Sequence, residues 1–218
     1  MSVPEQVVRI VDDDSSYLAA TARLLRAAGY RVETFSSTAE LLEKLSPDAM
    51  GCVLADLRMP GLSGLDLQDA LARSETPLPI VFVSGHGDVP STARAFKRGA
   101  EDFLTKLAPK EELLAAVERA LARGAREREA RDRLRAGRIR WESLTPRERE
   151  VLAWVLQGRL NKQIAGRLGL NERTVKLHRT NLTRKLGLSS VAEMSRWAQE
   201  AGLLPELDRL ATPRPKGQ

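Results

Sequence analysis

A chain of 218 residues is long enough for two modest domains, each able to bury a core without disulfides or a structural metal. Its single cysteine, Cys52, excludes an intrachain disulfide, and no apolar run approaches the ~18 residues that a membrane span needs. The net charge of +6 is uneven: residues 1–110 carry 12 Lys/Arg against 15 Asp/Glu and residues 111–218 carry 23 against 14, so the second half is the one suited to a polyanion. The opening Met1-Ser2-Val3-Pro4-Glu5-Gln6 lacks the basic and apolar blocks of a signal peptide, which with the lone cysteine gives an expectation of a cytoplasmic protein with no membrane partner.

From residue 7 to about 120, short apolar runs alternate with amphipathic stretches. Residues 7–11, 31–35, 51–55, 79–83 and 102–105 read as five strands, several of them apolar on both faces, as in a parallel sheet covered by helices. Helical spacing joins Leu18, Ala22 and Leu25, and again Leu41, Leu42 and Leu45, the latter opened by Ser37 with Glu40 three residues on, a capping box. Five such units predict an α/β domain over residues 1–120, a doubly wound five-stranded parallel sheet whose ligands gather at the carboxyl ends of the strands.

Residues 121–140 are dense in Arg126, Arg128, Arg131, Arg133, Arg135 and Arg138 interleaved with acids, which predicts a charged, helical, solvated linker with Gly124 and Gly137 as breaks. Thr145, Pro146 and Glu148 then make a helix start with a capping box. Helices follow at about 146–157, 161–168, 172–186 and 190–201, so residues 141–204 are expected to form an all-α, four-helix domain, with a disordered tail over 205–218.

The ends of the strands carry the chemistry. Asp12, Asp13 and Asp14 follow the first strand and Asp56 ends the third; carboxylates from neighbouring strand ends make an oxygen-rich site suited to Mg²⁺. Ser84 ends the fourth strand and Lys106 the fifth, adding a hydroxyl and an ammonium to a carboxylate nucleophile, the set a phosphoryl group requires. Singly these residues read as a polar turn, a cap and a surface lysine, and His86 as a loop residue beside the pocket. Asp12-Asp13, Asp56-Leu57-Arg58-Met59-Pro60 with Gly64, Ser84 to Pro90, and Phe103 before Lys106 resemble the receiver domain of two-component response regulators, the Ser84 run being similar to the FixJ branch. The resemblance implies a flavodoxin/CheY-like receiver in which Asp56 accepts phosphate from a cognate histidine kinase. It further implies that Asp13, Asp56 and the Arg58 carbonyl hold Mg²⁺ with Asp12 assisting through water, that Ser84 and Lys106 contact the phosphoryl oxygens, and that Phe103 changes rotamer.

In the second domain, residues 161–186 read as helix, turn, helix, with Gly169 suited to a left-handed helix end and Asn171 to the next cap. Val175, His178, Leu182 and Leu186 fall on a packing face of the second helix, whereas Arg173, Lys176, Leu177, Thr180 and Arg184 fall on a face able to enter a major groove. Arg179, Arg184, Lys185, Asn161 and Lys162 are placed to meet phosphates. Leu144 to Leu152, Asn161 to Ala165 and the run Thr174 to Arg179 resemble the LuxR/NarL-type helix-turn-helix, which implies a DNA-reading helix at 172–186 with Lys176 and Leu177 nearest the bases, Thr174 in the contact set and a dimerising last helix.

The two halves together predict a transcription regulator in which phosphorylation of Asp56 controls homodimerisation and binding to double-stranded DNA, with RNA polymerase a further candidate partner. One departure qualifies this: the family's lysine is usually followed by a cis proline, and here Leu107 follows Lys106. A cis bond before leucine costs about 3 kcal/mol, so a trans bond and a less firmly placed Lys106 are expected. The alternative that follows is a regulator set mainly by protein contacts or a ligand, with phosphorylation secondary. A phosphatase using Asp12 and Asp14, and a scaffold without DNA affinity, are the readings from other classes.

Overall fold

The computed structural model describes residues 6–74, 77–85 and 89–212, and of 89–91 the backbone alone. His86 and the last part of the expected tail, 213–218, lie outside the described residues. The chain divides into two compact units, Met1–Arg128 and Glu129–Gln218, the division falling inside one long helix.

The first unit is a five-stranded parallel sheet in the order β2-β1-β3-β4-β5, formed by β1 (Val7–Val11), β2 (Arg31–Phe35), β3 (Gly51–Asp56), β4 (Ile80–Ser84) and β5 (Asp102–Thr105). The central strands β1, β3 and β4 are buried along their whole length, which is why they read as unbroken apolar runs. Alternate residues serve two cores. Val53, Ala55 and Phe82 pack with Leu41 of α2 (Thr38–Lys44), Leu67 and Leu71 of α3 (Gly64–Arg73) and Ala95 of α4 (Val89–Lys97). Cys52, Leu54, Val81 and Val83 pack with Ala22 and Leu25 of α1 (Ser15–Ala27) and with Leu113, Ala116, Val117 and Ala120 of α5 (Lys110–Glu142). Burial raises the Cys52 thiol to about 12, so Cys52 is a small core residue.

The second unit contains the end of α5, then α6 (Pro146–Leu156), α7 (Asn161–Leu168), α8 (Glu172–Leu186), α9 (Val191–Glu200) and α10 (Leu204–Leu210). Thr145 and Glu148 complete the expected capping box of α6. Gly169, at φ 66°, ends α7 in the left-handed region, and Asn171 accepts the Thr174 N–H at 2.8 Å to start α8. Val151, Leu152, Ile164, Val175, Leu182, Leu186, Met194 and Trp197 form one core.

Three expectations are corrected here. The domain has a fifth helix in place of a disordered stretch after Leu204: Leu203, Leu207 and Ala211 recur every four residues and are buried, giving α10 an apolar stripe that holds it to the core. The segment 121–140 is not wholly a solvated linker, because its later part packs within the second unit. Gly124 and Gly137 do not break α5; a neighbour lies tight against Gly124 and too close for a side chain at Gly137. A Cβ on Gly124 would lie 3.0 Å from the Gly51 carbonyl oxygen, and one on Gly137 would lie 2.3 Å from Ala201 Cβ. Close by, the indole N–H of Trp141 donates to Glu206 at 3.1 Å, Arg138 pairs with the same carboxylate at 2.9 Å, and Arg149 donates to the Trp141 carbonyl at 3.2 Å.

Candidate functional site

Register alone brings the acidic residues together. Val11 of β1 lies beside Ala55 of β3, so Asp12 and Asp56 follow side by side at the strand ends. Ser84 lies beside Thr105 across β4 and β5, which sets Lys106 next in line, and the Lys106 N–H donates to the Ser84 carbonyl at 3.0 Å. Asp12, Asp56 and Ser84 are all buried.

The three aspartates after β1 have separate roles. Asp14 caps α1, its side chain accepting from the Ser16 and Tyr17 N–H groups at 2.9 and 3.1 Å. Asp12 turns inward, its side chain 1% exposed, while Asp13 stays exposed at the rim. Lys106 Nζ sits 2.7 Å from Asp12 Oδ2 and 2.8 Å from Asp56 Oδ2. The other Asp56 oxygen accepts the Arg58 N–H at 3.1 Å, which holds the carboxylate in a fixed rotation. Burial pushes the Asp12 carboxyl above its usual range in spite of the hydrogen bond from Lys106. Burial also pulls the Lys106 ammonium down, but its hydrogen bonds to Asp12 and Asp56 prevail and carry it up to about 12.

The Lys106–Leu107 peptide is trans, as the absent proline requires, and Leu107 projects into solvent at 94% exposure. With the trans peptide, Lys106 still reaches the pocket. The Lys106 bond to Ser84 and the Ala108 N–H bond to the Thr105 carbonyl at 2.9 Å hold the backbone on either side, and the ammonium reaches both carboxylates.

Asp12, Asp13 and Asp56 each offer an oxygen, and the three oxygens lie within 4.8 Å of one another. Asp12 Oδ2 is buried, in ionic contact with Lys106 at 2.7 Å. Three acidic oxygens this close together, two of them from buried carboxylates, are a set suited to a small divalent cation. Phe103 is half-buried beside Phe82, ring centroids 6.3 Å apart. One contributor, Tyr17, escaped the sequence reading, and Gly64, already part of the receiver resemblance, gains a structural reason. Tyr17 lays its ring 4.8 Å from Lys106 Nζ, and Gly64 lets α3 start against β3, where a Cβ would lie 2.3 Å from the Asp56 carbonyl oxygen. The Ser63–Asp66 capping box marks that helix start in the sequence; nothing local marks Tyr17.

On α8 the packing residues Val175, Leu182 and Leu186 are buried and His178 is half-buried. Arg173, Lys176, Leu177, Thr180 and Arg184 are exposed on the other face, Leu177 at 59%. Arg179 donates to Asn161 at 2.8 Å, tying α8 to the start of α7, where Lys162 is exposed. Thr174 uses its hydroxyl on the Asn171 cap. Lys185 is engaged elsewhere: its ammonium lies 2.7 Å from Glu148.

The fold and this pocket define a response-regulator receiver, and the family of response regulator receiver domains matches residues 8–118. The luxR family of bacterial regulatory proteins matches residues 142–198, so the chain is a two-component response regulator joining a receiver to a LuxR-type DNA-binding domain. It is 44% identical over 196 residues to response regulator protein TmoT of Ectopseudomonas mendocina, spanning 90% of this chain and 89% of the relative. Transcriptional regulatory protein FixJ of Azorhizobium caulinodans is 38% identical over 212 residues, spanning 97% of this chain and 100% of the relative. The solved structure of response regulator StyR, 43% identical, matches with a TM-score of 0.84 over 90% of this chain and 99% of that one. The family is one of transcriptional regulators and not of enzymes. Among the described residues no helix is long and apolar enough to cross a membrane.

Proposed function

We propose that Asp56 accepts a phosphoryl group from a histidine kinase and that this modification governs dimerisation and sequence-specific DNA binding. The observation that carries the reading is the convergence of Asp12, Asp13, Asp56, Ser84 and Lys106 at adjoining strand ends, with Lys106 Nζ 2.8 Å from the Asp56 carboxylate. Asp56 supplies the nucleophilic oxygen; the Lys106 ammonium offsets the charge that collects on the phosphoryl oxygens, and the Ser84 hydroxyl donates to them. Asp12, Asp13, Asp56 and the Arg58 carbonyl are the residues that would hold Mg²⁺, which supplies further charge neutralisation when bound. Drawing Ser84 toward a phosphoryl group empties space beside β4 and β5 for Phe103 to turn inward, which reshapes the face that a second receiver would meet.

In this reading the receiver function belongs to residues 1–120 and DNA reading to 141–204. The helix α8 enters the major groove with Lys176 and Leu177 nearest the base edges and Arg173, Thr174 and Thr180 around them. Asn161, Lys162, Arg179 and Arg184 meet phosphates, and α9 and the receiver supply dimer contacts, with RNA polymerase a downstream partner. The approach of Lys106 to both Asp12 and Asp56 despite Leu107 supports phosphorylation as the primary control over a regulator set by protein contacts or a ligand.

The test is duplex binding before and after treatment with Mg²⁺ and a small phosphodonor, using duplexes enriched from a random-sequence pool by the treated chain. Binding that tightens on treatment, weakens steeply with salt and is lost to a scrambled duplex is the expected outcome. Equal affinity in both states, with modification of Asp56 complete, contradicts the proposal.

A further inference from the structure

Lys185 stands in the last turn of α8, among residues that the sequence assigns to phosphate contacts. Its surroundings assign it differently. The ammonium lies 2.7 Å from Glu148 Oε2 and 3.1 Å from the Ser143 carbonyl oxygen. Glu148 is a buried carboxylate, its side chain 4% exposed, and the same Oε2 accepts the Thr145 N–H at 2.8 Å to close the N-terminus of α6. One carboxylate therefore joins the start of α6 to the end of α8, while Lys185 reaches on to the residue that follows α5. Arg184, the adjacent cation, is exposed and donates to Asn181 at 3.3 Å.

We propose that Glu148 and Lys185 are a positioning pair that fixes the orientation of α8, and that Lys185 makes no contact with DNA phosphate. The assignment rests on the reading of α8 as the DNA-reading helix. Turning the ammonium out to a phosphate would strand a buried carboxylate without its cation, and that loss exceeds what one solvent-screened phosphate contact returns. The location also suits a lysine, because the last turn of a helix favours a cation. Thr145 and Glu148 would keep their capping box if Glu148 became glutamine, which makes the pair separable from the cap.

The experiment uses the full chain and the duplexes enriched by the wild type, with Lys185→Met, Lys185→Arg, Arg184→Met, Glu148→Gln and the double variant Glu148→Gln/Lys185→Met. Affinity is measured across a salt series, and unfolding is followed by tryptophan fluorescence. Lys185→Met is expected to weaken binding on the order of tenfold, as an unpaired buried charge distorts the helix seat, with the salt slope unchanged. Arg184→Met should lower the slope by ~0.9, as one lost phosphate contact does. Removing Glu148 as well should restore most of the affinity and unfolding midpoint lost in Lys185→Met, and Lys185→Arg should retain them. A slope lowered by ~0.9 in Lys185→Met, unrescued by Glu148→Gln, overturns the proposal and returns Lys185 to the phosphate set. Should the wild type bind no duplex, the DNA-reading assignment falls, and the pair is then judged by the unfolding cycle alone, where additive effects overturn it.

Discussion

Replacing Gly137 with alanine tests whether the end of α5 is a built part of the second unit. Two opposed effects meet at this position. An alanine inside a helix gains about 1 kcal/mol over glycine, but the new Cβ would lie 2.3 Å from Ala201 Cβ and 3.1 Å from Ala201 Cα. Neither neighbour is the end of a flexible side chain, so α5 and α9 must move apart. Overpacking of this kind costs about 1–3 kcal/mol, and a contact this short belongs in the upper part of that range, leaving a net loss of about 1–2 kcal/mol. Gly166 in α7 is the control, since a Cβ there meets nothing within 4 Å. All three tryptophans, Trp141, Trp154 and Trp197, lie in the second unit, so their fluorescence reports its melting. In a domain of this size 1 kcal/mol moves the midpoint by about 4–8 °C, so Gly137→Ala should lower it by roughly 4–16 °C and Gly166→Ala should raise it by roughly 4–8 °C. A rise in Gly137→Ala equal to that in Gly166→Ala would refute the docking of α5 on α9.

Mg²⁺ should raise the receiver's unfolding midpoint by mass action, and Asp13→Asn, at an exposed rim position, should abolish the rise while changing the midpoint in chelator by no more than about 0.5 kcal/mol; circular dichroism with and without the ion reads both. Burial pushes the Glu148 carboxyl up, but hydrogen bonds from Lys185 and Thr145 outweigh it and hold the group below its ordinary 4.5. A depressed carboxyl contributes stability that is whole above 4.5 and is lost as pH falls through the lower folded value, so wild type and Glu148→Gln should converge in midpoint below pH 4.5, and a constant gap there would count against the assignment. Leu177→Ala should leave the melting of the second unit within about 0.5 kcal/mol of wild type, because the side chain is exposed, yet weaken binding to the enriched duplex; an unchanged affinity removes Leu177 from the reading face.

The sheet and its pocket were legible because their causes are local. Strands buried on both faces must be apolar throughout, and strand ends in a parallel sheet point their next residue at a common edge, so Asp12, Asp56, Ser84 and Lys106 could be gathered from order alone. The helix-turn-helix was legible through Thr145, Glu148, Gly169 and Asn171, whose roles depend on neighbours three or four residues away. What stayed hidden depends on distant partners. Gly137 reads as a helix break until Ala201 is seen against it, and nothing near Lys185 in the sequence marks its ion pair with Glu148. The tail expected to be disordered after Leu204 instead begins with α10, whose first turn holds Pro205, a residue suited to a helix start. Leu107 was weighed by what its peptide lacks, although the anchors of Lys106 lie in Ser84, Asp12 and Asp56.

The central claim is that Asp56 is the residue whose phosphorylation switches the protein. Wild type and Asp56→Asn are incubated with Mg²⁺ and a small phosphodonor, and intact mass and oligomeric state are read from the same samples. The account predicts that the wild type gains the mass of one phosphoryl group and shifts toward dimer, while Asp56→Asn does neither. A dimer shift of equal size in Asp56→Asn, or a fully modified wild type that stays monomeric, would contradict it.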